Sequence, residues 1–387
     1  ARPPAAGLLA QQRTCASEDK KAQREAEARL APLFLPTVRS QLRQRLLASG
    51  LHDSLVREIG ELAGAPWALF ADGAAYEAVL DRLDGRGVAT EYLRHIAGVE
   101  RSLLAGGHQF PDAALGGRQR GVILFCVSTW VHLLSFQSHK DTLANAIVRF
   151  DAYCTLKRPR RPVEELPEVA MAIVILLKKE SSSTVSLSMC ALSTYVNQLQ
   201  ECLVGMDVPA RRVTDDMLIE AELDFLTVLN WQTNLPNPQM YVDIFDARLD
   251  SLTDGPPSPA MQWAKARTCH YVLAFQMQHR LELSMRAVSI GLFAFFLLVA
   301  HHLPVRALKP RGLDEGTWVR WESRAGSELL AGPEAPRGGD AAFLLRCVEW
   351  ATDSTLGDIQ DACALVLEAV LGRRAAERAA EQRAAAS

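Results

Sequence analysis

The sequence predicts an all-α protein. Apolar residues recur at helical spacing through most of the 387 residues, with no run of short alternating strands. Pro and Gly clusters fall between the periodic segments and punctuate them. Hydrophobic residues make up 49% of the chain, enough for a sizeable core and for two or three compact domains.

Taken in order, residues 1–30 read as a flexible tail, and "ASEDKKAQREAEARL" has a solvated composition with no apolar face. Residues 31–112 read as an N-terminal helical region. Its segment "PTVRSQLRQRLLASG" closes on Gly50, a residue suited to end a helix. From Gly117 the apolar content rises. Helices are expected at about 118–134, 140–156, 163–180, 182–203 and 214–230, then at 236–252, 258–280, 281–302, 341–352 and 355–372. Several starts carry cap chemistry: Thr214-Asp215-Asp216, then Pro236 and Pro238, then Ser354-Thr355. The stretch 303–340 is rich in Pro, Gly and charge and reads as a loop insertion of functional or mobile type. Residues 373–387 read as a solvent-exposed tail.

Net charge is -3, so the chain as a whole exerts no pull on nucleic acid or an anionic membrane, and nucleic acid is not an expected partner. The eight cysteines form no C-x-x-C pair and are spread along the chain, as expected of reduced, mostly buried thiols in a nuclear or cytoplasmic protein. The first twenty residues hold no long apolar segment and do not read as a signal peptide. "AVSIGLFAFFLLVA", Ala287 to Ala300, is 14 residues long. A bilayer span takes about 20, so this stretch reads as a helix at the centre of a bundle. No phosphate-binding glycine loop, H-E-x-x-H or G-x-S-x-G occurs. No catalytic residue, metal or cofactor is therefore expected. His301-His302 has no ligand partner at suitable spacing and reads as the end of a helix. "KRPRRP", Lys157 to Pro162, is either a solvated loop or a short basic run for phosphate contact or nuclear import.

Two placements of charge stand out. "VAMAIVILLKKE" is apolar all round, the mark of a helix covered on every side, yet it ends in Lys178, Lys179 and Glu180. In "DDMLIEAELDFLTVL", residues Leu218, Ala221, Phe225, Leu226 and Leu229 share one face at about 100° per residue, and Glu222 falls among them. A carboxylate on a buried face is costly unless paired. Either the lysines are caps in water and Glu222 sits at the edge of its stripe, or a lysine reaches Glu222 at a surface meant for a partner.

The order of these segments resembles that of a cyclin. "DTLANAIVRFDAYC" is similar to the cyclin pattern "ETLxLAVxxxDRFL", with Asp151 at the aspartate. "MAIVILLKKE" is similar to "AAMLLASKFEE", with Lys178 at the family lysine and Glu180 at a glutamate. "IEAELDFLTVLNWQTNLPNP" follows "RMExxVLxxLxFxLxxPTP" without a gap, placing Glu222 and Pro236 at family positions. "STLGDIQDACALVLEAVL" resembles the closing helix of a second box. The chain departs from "MRAILVDWL" at "QRGVILFCVSTW": Arg120 is kept, Phe125 replaces the aspartate and Trp130 comes a turn late. Ala152 replaces the arginine after Asp151.

The resemblance implies two tandem five-helix cyclin boxes, the first at 113–235 and the second at 236–372. It implies a regulatory subunit that docks its first box on the C-helix of a cyclin-dependent protein kinase, with kinase substrates as further partners. Carried over, the kinase-binding residues are Lys178, paired with Glu222, and the neighbouring Lys179 and Leu226. It also implies that part of the N-terminal region packs on the first box, and that the insertion lies away from the kinase. A double-cyclin-fold transcription factor, or a scaffold binding peptides between the boxes, is the alternative. The first would want a zinc ribbon and a basic face.

Overall fold

A computed structural model of the protein describes residues 82–83, 85, 89–106, 115, 117–134, 139–181, 189–202, 208–252, 258–278, 284–301, 303, 305–309 and 339–366. The regular structure among them is entirely helical. The helices are α1 (Thr90–Gly106), α2 (Gly117–Leu133), α3 (His139–Leu156), α4 (Leu166–Ser181), α5 (Met189–Cys202) and α6 (Asp215–Val228). They continue with α7 (Pro238–Asp250), α8 (Pro259–Gln278), α9 (Met285–Ala300), α10 (Gly339–Thr352) and α11, described over 356–366. The predicted tails, 1–30 and 373–387, lie outside the described residues.

The chain forms two compact units. One is built on residues 106–235, the other on residues 49–105 with 236–276 and 280–387. In the first, α4 is the central helix, and α2, α3, α5 and α6 all pack on it. That is why its sequence has no polar face: every residue from Leu166 to Leu177 is buried. Apart from Glu168 in the first turn, charge is admitted only at the last turn, where lysines complement the helix dipole.

Two residues from separate motif stretches meet in this core. Arg120 of α2 donates from Nε to Asp151 Oδ1 of α3 at 2.8 Å and from NH2 to Oδ2 at 2.6 Å. Both residues are buried, so the planar guanidinium and the carboxylate form a bidentate tie between two helices inside the protein.

The predicted starts are capped, by Thr214 and Thr355 as expected and at α7 by Asn237, which lies between the two expected prolines. Thr214 Oγ1 accepts from Met217 N ahead of α6, and Asn237 Oδ1 accepts from Met240 N with Pro238 opening α7. Thr355 and Asp358 exchange bonds at the start of α11: Thr355 N donates to Asp358 Oδ2 at 2.9 Å, and Asp358 N donates to Thr355 Oγ1 at 3.2 Å.

In the second unit α9 is buried along its length, all but Arg286 and Ala287, with α7 and α10 packed against it. No helix among the described residues is long and apolar enough to cross a membrane. A Cβ built on Gly291 of α9 would stand 2.7 Å from Ala362 O and 2.9 Å from Ala362 C, so α9 and α11 touch backbone to backbone there. Gly291→Ala is therefore expected to destabilise the protein by about 1–3 kcal/mol, the typical cost of overpacking, despite alanine's better helix propensity. Gly98→Ala in α1, where a Cβ would meet nothing within 4 Å, should be neutral or gain up to about 1 kcal/mol. Urea unfolding of the two variants makes the comparison.

Two expectations are corrected. Helix α1, within the described part of the N-terminal region, takes its partners from the second unit and not the first, while residues 31–81 of that region lie outside the described residues. Glu100 is buried, accepts from Tyr241 Oη at 2.6 Å, and caps α9 by accepting from the backbone N of Met285 and Arg286. An anion at a helix start is well placed. The insertion expected at 303–340 is also shorter. Leu303 and Leu308 are buried, Val305–Leu308 is a 3₁₀ turn packed on α9, and α10 already begins at Gly339. Apolar side chains at 303 and 308 complete the core before the polar stretch starts.

Candidate functional site

Helix α6 brings the site together. Leu218, Ala221, Phe225 and Leu229 form its buried stripe against α4. At about 100° per residue, Glu222 and Asp224 fall on the two shoulders of that stripe. Beyond Glu222 lies a second apolar strip of Ile219, Leu223 and Leu226. Ile219 is 54% and Leu223 58% exposed, while Leu226 is half-buried. So α6 is apolar on two faces, and only one of them is covered.

At the Glu222 shoulder, Lys179 Nζ donates to Glu222 Oε1 at 2.5 Å. The sequence reading gave that role to Lys178, and the structure gives the contact to Lys179. Consecutive residues point about 100° apart on a helix, so the two lysines face different neighbours. Lys178 is half-buried and Lys179 exposed. The next residue, Glu180, accepts a bidentate pair from Arg149 of α3 at 3.1 and 2.8 Å. The end of α4 is thus tied to α3 by one ion pair and to α6 by another, beside the exposed Ile219–Leu223 strip. The Lys179–Glu222 pair is partly exposed, 52% on the lysine side chain, so it adds little to stability.

At the other shoulder, Asp224 is a hub. It accepts from Tyr153 Oη at 2.6 Å, from Lys157 Nζ and from Arg161 Nε at 3.1 Å. Burial works to raise its pKa, but the hydrogen bonds from Lys157 and Tyr153 and the nearby positive charges together hold it below the ordinary value. Burial and the bond to Asp224 push the Tyr153 hydroxyl up, keeping it a donor. Arg161 continues to Glu168 Oε1 at 3.4 Å and Glu165 Oε2 at 3.6 Å, and Arg211 reaches the same two glutamates at 3.6 and 2.8 Å.

Glu168 is the outlier in this cluster. Only 2% of it is exposed, and Oε2 has no hydrogen-bond partner. Burial pushes its carboxyl up to about 7, against the pull of Arg211 and Arg161. Its folded pKa lies above the ordinary 4.5, so its contribution to stability is full below about pH 4.5 and is lost as pH rises through about 7. Glu168→Gln mimics the neutral carboxyl. The variant is expected to match the parent near pH 5 and to exceed it by about 1–3 kcal/mol at pH 8. Chemical denaturation at a series of pH values reads this difference, and a constant gap across the range would refute it.

In comparisons with known proteins, no family model matches the sequence and no curated protein is significantly similar to it.

Sequence reasoning missed Asp224 and the second strip. The strip had a signal: Ile219 and Leu223 stand four apart on a face separate from Leu218 and Phe225, and Leu226, grouped in the sequence reading with the buried face, is half-buried between the two.

Proposed function

We propose that this chain is a cyclin-like regulatory subunit that binds a cyclin-dependent protein kinase through the α4–α6 edge of its first unit, in the nucleus or cytoplasm. One observation carries the reading. An uncovered aliphatic strip, Ile219 and Leu223, runs beside the Lys179–Glu222 pair at the charged end of a fully buried central helix. An exposed aliphatic strip on a helix suits a second helix laid against it. An ion pair at the rim fixes register and partner choice more than it adds affinity. Pressing on the kinase C-helix would place the kinase's own Lys–Glu ion pair for phosphoryl transfer.

Support also comes from the motif stretches that resemble cyclins. Arg120 and Asp151, read from two of them, are ion-paired, and Glu222, read from a third, meets a lysine at the end of the fourth-helix stretch. The test is a pull-down of the tagged full chain from its native source, followed by mass spectrometry and a kinase assay. Recovery of a cyclin-dependent kinase that the chain activates is the expected result. Recovery of RNA polymerase without a kinase would replace this reading with the transcription-factor one.

A further inference from the structure

We infer that a patch of three exposed arginines, Arg158, Arg160 and Arg212, is a docking site for a phosphorylated peptide segment. The patch is built from two stretches distant in sequence. Arg161 and Arg211 share Glu165 and Glu168 as ion-pair partners, which sets the loop 157–162 beside residues 211–213. Arg158 and Arg160 precede Arg161 in the first stretch, and Arg212 follows Arg211 in the second. All three are exposed, and none has a carboxylate within ion-pair distance among the described residues, whereas Lys157, Arg161 and Arg211 are all neutralised.

The backbone beneath is held on both sides. Lys157 and Arg161 are anchored on Asp224. Asn197 of α5 exchanges two bonds with Val213, donating to its O at 2.9 Å and accepting from its N at 2.7 Å. Gln200 Oε1 accepts from Arg211 N at 2.7 Å. The Gln200 residue is only 5% exposed, and its Nε2 has no hydrogen-bond partner. That leaves a buried donor immediately beside the arginine stretch. Pro159 and Pro162 further stiffen the loop. Arg158 Nη1 donates to Lys157 O at 2.7 Å, which fixes that side chain on the loop and leaves its other donors outward. The carboxylates below are spent on anchoring cations, and Arg160, Arg212 and the remaining donors of Arg158 are left for a ligand on a pre-organised frame.

Arginine forks match the oxygens of a phosphate bidentately, and a focused group of them is the usual reader of phosphorylated segments. A nucleic acid backbone would ask for an extended basic face. Here Glu165 and Glu168 lie directly beneath the patch on Arg161 and Arg211, and the whole chain carries a net charge of -3. The site does not rest on the kinase reading, because it uses the opposite shoulder of α6.

The test uses the full chain and fluorescein-labelled peptides of one scrambled background, carrying phosphoserine, serine or glutamate at the centre, and a labelled single-stranded oligonucleotide. Fluorescence anisotropy should show the phosphoserine peptide binding at least tenfold tighter than the serine and glutamate peptides. That preference should vanish in Arg158→Ala/Arg160→Ala/Arg212→Ala. The triple lysine variant should retain weak, salt-sensitive binding without the preference, since charge is kept and the fork is lost. Equal binding of the three peptides, an unchanged preference in the alanine variant, or tighter binding of the oligonucleotide would each overturn the inference. The replaced side chains are exposed, and an unchanged melting curve checks that the fold is intact.

Discussion

Asp151→Ala is expected to cost about 3–5 kcal/mol of unfolding free energy, the range for a buried ion pair that loses one member. The cost arises from what remains. Arg120 is 2% exposed and cannot give up its proton, so without the carboxylate its charge stays in the core between α2 and α3. Arg120→Met leaves the buried carboxylate without its partner instead. The double variant Arg120→Met/Asp151→Leu removes both charges and fills the space with apolar atoms. It should be more stable than Asp151→Ala, and the losses should be strongly non-additive. Urea unfolding of the parent, Arg120→Met, Asp151→Leu and the double variant gives the four corners of the cycle. Additive losses would mean that the 2.6 and 2.8 Å contacts carry no coupling energy.

That pair also shows what a sequence can and cannot disclose. Helix periodicity, caps and the all-apolar run of α4 are local, and they were legible: Thr214, Pro238 and Thr355 stand at real helix starts. Motif spacing brought Asp151 and Glu222 to notice, but not their partners. A partner depends on how two helices are rotated against each other, and the choice between Lys178 and Lys179 is a rotation of about 100°. Asp224 escaped notice for a related reason. Its donors come from Tyr153, Lys157 and Arg161, more than sixty positions away, and its side of α6 looks like a solvated shoulder in sequence. The uncovered strip of Ile219 and Leu223 could have been read from spacing. Glu222 beside it drew the eye to the buried face instead.

Leu223→Glu is expected to abolish kinase binding, by a hundredfold or more in affinity, equivalent to at least about 2.7 kcal/mol, while leaving the melting temperature unchanged. The position is 58% exposed, so a carboxylate there is hydrated in the free protein and disturbs nothing. In a helix-on-helix contact it would be desolvated against apolar side chains without a partner, which is where the penalty falls. Ile219→Glu, one turn away and equally exposed, should act alike. The ion pair is the second component. Lys179→Ala and Glu222→Ala should each weaken activation by roughly tenfold, about 1.4 kcal/mol. Their effect on the fold should stay below about 1 kcal/mol, as for other exposed pairs. The double variant should lose less than the sum, because the 2.5 Å contact couples the two. Lys178→Ala, at the position that the family resemblance pointed to, should be the milder lysine change if the contact seen here is the one the partner uses. Titration of the purified chain into the kinase recovered in the pull-down proposed above, read by activity and by calorimetry, measures each variant. Full activation by Leu223→Glu would remove this face of α6 from the interface, and strictly additive losses at Lys179 and Glu222 would show that the pair does not act as a unit.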